Sequence, residues 1–82
     1  MSAQHKLLIT DDDKFIQGML KRFLSETYDI RSAFNGSECI SQAAEWQPDI
    51  ILLDVEMPQQ NGYEVCEALK SDDKTKKIPV VF

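Results

Sequence analysis

The chain has 82 residues, enough for one small domain and too few for two. Fourteen acidic residues against nine basic ones leave a formal charge of −5, which argues against a nucleic-acid-binding surface. No apolar run approaches the ~20 residues that span a bilayer, and the polar start Met1-Ser2-Ala3-Gln4-His5-Lys6 carries no signal-peptide pattern, so the expected setting is the cytoplasm with no membrane partner.

Taken in order, short apolar runs alternate with amphipathic ones. Residues 6–10 predict a strand, bounded by charge on both sides. Residues 14–26 predict a helix with Phe15, Ile16, Met19, Leu20, Phe23 and Leu24 on one stripe, capped by Asp12 or Asp13. Residues 28–34 predict a second strand, and Asn35-Gly36 a turn. Residues 37–46 predict a second helix with Cys39, Ile40, Ala43 and Ala44 inward, which Pro48 forbids from continuing.

Residues 49–54 predict a third strand. Its run Ile50-Ile51-Leu52-Leu53 does not alternate, as expected of a strand covered on both faces. Residues 57–61 predict a loop shaped by Met57-Pro58, and 62–71 a third helix with Val65, Cys66 and Leu69 inward, where Gly62 permits a tight turn or close helix packing. The charged stretch 71–77 predicts a solvated connector, and 78–82 the start of a fourth strand. Cys39 and Cys66 lack a CxxC spacing or a nearby histidine, so buried free thiols are expected. Strand–helix alternation with short connections predicts a doubly wound parallel α/β sheet over one domain.

Asp11, Asp12 and Asp54 lie at the C-terminal ends of the first and third strands. If these strands are neighbours, the three carboxylates meet at the sheet edge where open α/β folds bind ligands. Two such charges ~4 Å apart repel by roughly 4 kcal/mol at an effective dielectric near 20. A raised pKa or a bound divalent cation relieves that repulsion.

The segments Leu7-Leu8-Ile9-Thr10-Asp11-Asp12-Asp13, Pro48-Asp49-Ile50-Ile51-Leu52-Leu53-Asp54-Val55-Glu56-Met57-Pro58 and Asn61-Gly62-Tyr63-Glu64 resemble the receiver domain of two-component response regulators. Asn35-Gly36-Ser37-Glu38 and Lys77-Ile78-Pro79-Val80-Val81-Phe82 fit the same pattern, so the resemblance runs over the whole chain. It implies a flavodoxin-like doubly wound parallel sheet of strand order 2-1-3-4. It further implies that Asp54 is the phosphoryl acceptor, a signalling role rather than that of an enzyme. Asp12 would bind Mg²⁺ (Mn²⁺ as substitute) directly and Asp11 through water, with the Glu56 backbone carbonyl as another ligand. The implied partner is a sensor histidine kinase or phosphotransfer protein. Gln60 and Thr10 depart from the family pattern, in which apolar side chains are usual at both positions.

Receivers continue past the fourth strand with a Ser or Thr, a helix, a strand bearing a Lys, and a final helix. The sequence stops at Phe82, so 1–82 reads as a partial receiver lacking the last helix–strand–helix portion. An open fourth strand and an uncovered first helix then lead to an expectation of self-association, through strand pairing or exchange of an element. Two other readings compete. One is a non-catalytic structural or engineered piece of the same fold. The other is a haloacid-dehalogenase-like phosphatase, in which the Asp-x-Asp spacing makes Asp11 the nucleophile and Asp13 the acid–base residue; Phe15 and the set Asp54, Met57, Pro58 and Gly62 fit it poorly.

Overall fold

The computed structural model describes residues 4–57 and 60–82. Strand β1 (His5–Thr10) leads to α1 (Lys14–Leu24), β2 (Tyr28–Ala33), α2 (Gly36–Trp46) and β3 (Ile50–Leu53). Two short strands, β4 (Glu56–Met57) and β5 (Gln60–Asn61), precede α3 (Gly62–Ser71) and β6 (Val80–Val81). The main sheet has the order β2-β1-β3-β6, all parallel, which is the expected order with β6 as the fourth large-sheet strand. β1 is its centre: it pairs with β2 from His5↔Tyr28 to Thr10↔Ala33 and with β3 from Leu7↔Ile50 to Thr10↔Leu53.

The elements begin and end where local chemistry dictates. The Asp13 side chain accepts from the N–H groups of Phe15 and Ile16, so Asp13 rather than Asp12 caps α1. Asn35 caps α2 through Glu38 N–H, while the Glu38 carboxylate reaches back to Phe34 N–H, two orphan donors met by two side chains. α2 stops at Gln47, which turns into the left-handed region at φ 55° just before Pro48. Asn61 caps α3 by accepting from Tyr63 N–H.

The core lies on the α2/α3 side of the sheet. Leu8, Ala33, Ile51 and Leu53 meet Cys39, Ala43, Val65 and Leu69 there, all essentially withdrawn from water. The opposite face carries α1 alone among the described residues. Two expectations change as a result. Ile51 and Leu53 are buried but Ile50 and Leu52 are only partly covered, so β3 is packed fully on one face and partly on the other. The α1 stripe also splits: Ile16, Leu20 and Leu24 turn toward the sheet with Gln17, whereas Phe15, Met19 and Phe23 are exposed by 78%, 42% and 73%. The two sets are i, i+4 rows one residue apart, and a lone helix on a sheet buries only one row.

Smaller differences follow from pairing. The expected 57–61 loop overlaps an antiparallel pair of two-residue strands, with Glu56 opposite Asn61 and Met57 opposite Gln60; Pro58, expected to shape this loop, lies outside the described residues. The connector after α3 is not wholly solvated: Thr75 is buried and its Oγ1 donates to Leu69 O at 2.6 Å. β6 pairs over only two residues, although Pro79 O accepts from Ile51 N at 3.0 Å and extends the contact. β6 is an edge strand with Val81 and Phe82 exposed. Cys39 is buried and Cys66 half-buried, both as free thiols.

The loop entering β3 is fastened to the start of β1. Lys6 N donates to Asp49 Oδ2 at 2.7 Å and Asp49 N donates to Lys6 O at 2.9 Å. The Lys6 N–H bond, with the nearby charges of His5 and Lys6, holds the Asp49 carboxyl below its ordinary pKa. A carboxyl with a lowered folded-state pKa adds stability above its unfolded value, near 4, and loses it as pH falls through the folded value. Asp49→Asn is therefore expected to be less stable than wild type in denaturant melts at pH 7, with the gap narrowing at acid pH, below the unfolded value. A gap of the same size at neutral and acid pH would contradict this.

Candidate phosphoacceptor and cation site

The site grows out of the β-ladder. Thr10 and Leu53 are opposite one another at the ends of β1 and β3, and the ladder runs one bond further, Asp54 N to Thr10 O at 3.0 Å. On the other side Asp11 N donates to Ala33 O at 3.0 Å. Both aspartates are thus held by sheet hydrogen bonds at the same level, just beyond the strand tips. One carboxylate oxygen each from Asp11, Asp12 and Asp54 lies within 4.8 Å of the others. This is the gathering expected of neighbouring strands 1 and 3.

Each acid has its own setting. Asp11 is 9% exposed and its Oδ1 accepts from Asp13 N at 2.9 Å. Burial pushes the Asp11 carboxyl up, the Asp13 N–H bond opposes that, and the charges of Asp54, Asp12 and Asp13 add to the rise. Asp12 is exposed and Asp54 half-buried, so both present oxygen to solvent. Asp54 Oδ1 accepts from Glu56 N at 3.0 Å, which orients the carboxylate and leaves its other oxygen free of protein donors among the described residues. Glu56 itself is exposed at the start of the β4/β5 pair. An open groove of about 260 Å³ runs from Asp11 and Asp54 past Leu20, Leu52 and Phe82, so the acids are approachable from the α1 side.

Three oxygens from carboxylates, one of them nearly buried, suit a hard divalent cation with oxygen preference and retained waters. The Asp-x-Asp alternative needs Asp13 available beside Asp11. Asp13 instead spends its carboxylate on the α1 N-terminus, and Asp54 takes the place in the cluster.

The family model described as the response regulator receiver domain matches residues 7–82. The chain belongs to that family. The receiver is 41% identical over 83 residues to the response regulator PleD of Caulobacter vibrioides, a match covering 100% of this chain and 18% of PleD. It superposes with a TM-score of 0.89, at 34% identity, on the N-terminal domain of a response regulator receiver protein from Methanoculleus marisnigri, covering 93% of this chain and 63% of that one. The chemotaxis protein CheY4 of Vibrio cholerae gives a TM-score of 0.89 at 30% identity, with 95% and 66% covered. The receiver therefore spans less than two thirds of the length of these relatives. No helix among its described residues is long and apolar enough to cross a membrane.

Two features of the site had weak sequence signals. Gln17, a polar residue in an apolar helix pattern, is buried against the backbone of this edge. Gly62 was readable only as a tight turn or close packing, and it is the latter: a Cβ there would stand 2.6 Å from Val55 Cα and 2.7 Å from Asp54 O. α3 thus begins in contact with the backbone that carries Asp54, with Gly62 N donating to Val55 O at 3.2 Å. Gly62→Ala is expected to destabilise the receiver by about 1–3 kcal/mol, since backbone must move to admit the methyl group. Gly18→Ala meets no atom within 4 Å and is expected to stabilise α1 by about 0.5–1 kcal/mol. Equal melting temperatures for the two variants would contradict the close-packing account.

Proposed function

We propose that this receiver accepts a phosphoryl group on Asp54 from a phosphohistidine of a sensor kinase or phosphotransfer protein, with Mg²⁺ held by Asp12, Asp54 and the Glu56 carbonyl and, through water, by Asp11. The observation that carries this reading is the 4.8 Å cluster of three carboxylates from two adjacent strand tips. In the reaction an Asp54 carboxylate oxygen forms the O–P bond as the P–N bond to the donor imidazole breaks. Approach of a carboxylate to an anionic phosphoryl group is electrostatically uphill, and a divalent cation supplies the charge neutralisation. What the chain itself contributes is position: Glu56 N–H turns the Asp54 carboxylate, Asp13 N–H turns that of Asp11, and Gly62 keeps α3 close behind them.

Cation binding to the folded state alone stabilises it by mass action. With Mg²⁺ at ten times its dissociation constant the gain is about 1.4 kcal/mol, a rise of several degrees in melting temperature for a domain of this size. Asp54→Asn and Asp12→Asn are expected to shrink that rise. With a small-molecule phosphodonor and Mg²⁺, any added phosphate seen by mass spectrometry is expected on Asp54 and absent from Asp54→Asn. A melt unmoved by millimolar Mg²⁺, or phosphate that persists in Asp54→Asn, would contradict the proposal.

A further inference from the structure

Gln17 is the buried residue of α1, 3% exposed, on a helix whose other sheet-facing side chains are apolar. Its Nε2 donates to Ala33 O at 2.8 Å, Ile9 O at 2.9 Å and Asp11 O at 3.1 Å. Ala33 O also receives the N–H of Asp11. One amide group thus gathers the penultimate carbonyl of β1, the last carbonyl of β2 and the carbonyl of the first acid. Burying an amide is unfavourable unless its bonds are made. Here the donor side is fully used, while Oε1 has no partner among the described residues. Packing against the sheet asks only for apolar surface, so packing alone does not account for the amide.

We infer that Gln17 is a positioning residue for the acid cluster: by holding the Asp11 carbonyl against the tips of β1 and β2, it keeps the Asp11 carboxylate at cation-sharing distance from Asp12 and Asp54. Nothing else from α1 donates to the Asp11 backbone among the described residues. The neighbouring Asp13 N–H bond fixes the Asp11 side chain but not its main chain. The inference rests on the cation reading above, and it assigns to a residue outside the carboxylate set a share of the affinity. Groups that orient metal ligands commonly carry a 10–100-fold effect on binding.

The test compares two glutamines that make the same kind of helix-to-sheet bond. Gln42 Nε2, on α2, donates to Ser32 O at 2.8 Å on the opposite side of β2 from the acids' helix, away from Asp11. Mg²⁺ dissociation constants are measured by calorimetry for wild type, Gln17→Met and Gln42→Met below all three melting transitions. Gln17→Met is expected to bind Mg²⁺ about tenfold more weakly. Gln42→Met is expected to lose stability with Mg²⁺ affinity unchanged. Gln17→Asn, which keeps the amide but withdraws it by one methylene, is expected to fall between wild type and Gln17→Met, and it carries the test if the Met variant does not fold. Wild-type affinity in the Gln17 variants, whatever their stability, would overturn the inference and leave the cation reading standing. Absence of Mg²⁺ binding by wild type would overturn the cation reading and this inference with it.

Discussion

The constraint that organises this receiver is electrostatic. Three carboxylates sit within 4.8 Å because two parallel strands end side by side. At that spacing each pair of full charges opposes the other by about 3–4 kcal/mol at an effective dielectric of 20, a large fraction of the stability of a small domain. The fold bears the repulsion through backbone geometry: sheet bonds beyond the strand tips, N–H groups on two of the carboxylates, and a glycine that lets α3 close against the loop. A divalent cation shared by the three carboxylates would relieve that repulsion.

The two faces of the sheet differ in kind. The α2/α3 face is a closed apolar core in which Leu8, Ile51, Val65 and Leu69 have no exposure. The α1 face is thin, with Leu20 and Leu52 bordering the groove that reaches the acids and Phe15 and Phe23 pointing to solvent. The closed α2/α3 face packs behind the strands whose tips carry the acids. Gln17 lies at the junction, where α1 meets the ends of β1 and β2. A polar anchor there makes the register of the helix on the sheet specific in a region where apolar contact is sparse.

Most of the architecture was legible in the residues. The parallel sheet followed from the alternation of apolar runs with amphipathic ones, and the meeting of Asp11, Asp12 and Asp54 followed once strands 1 and 3 were neighbours. The burial pattern was harder to read. A non-alternating run such as Ile50-Ile51-Leu52-Leu53 shows what a strand can bury, not what covers it, and Ile50 and Leu52 remain partly open. The apolar periodicity of α1 fitted two adjacent rows equally, and only the placement of the helix chose between them. Gln17 was invisible to any hydrophobic template because its role is to satisfy backbone carbonyls that sequence patterns do not display. The β4/β5 pair was likewise hidden, since pairing of two residues with two leaves almost no compositional trace.

The most direct measurement of the central claim is a substoichiometric Mn²⁺ titration followed by amide resonances of the ¹⁵N-labelled receiver. Paramagnetic broadening is expected first and most strongly at Asp11, Asp12, Asp13, Asp54, Val55 and Glu56, with the far end of the sheet around Lys6 and Asp49 remaining sharp. Broadening centred instead on the exposed acidic turn at Asp72 and Asp73, or spread evenly over the chain, would show that the strand-tip carboxylates do not act together as a cation site.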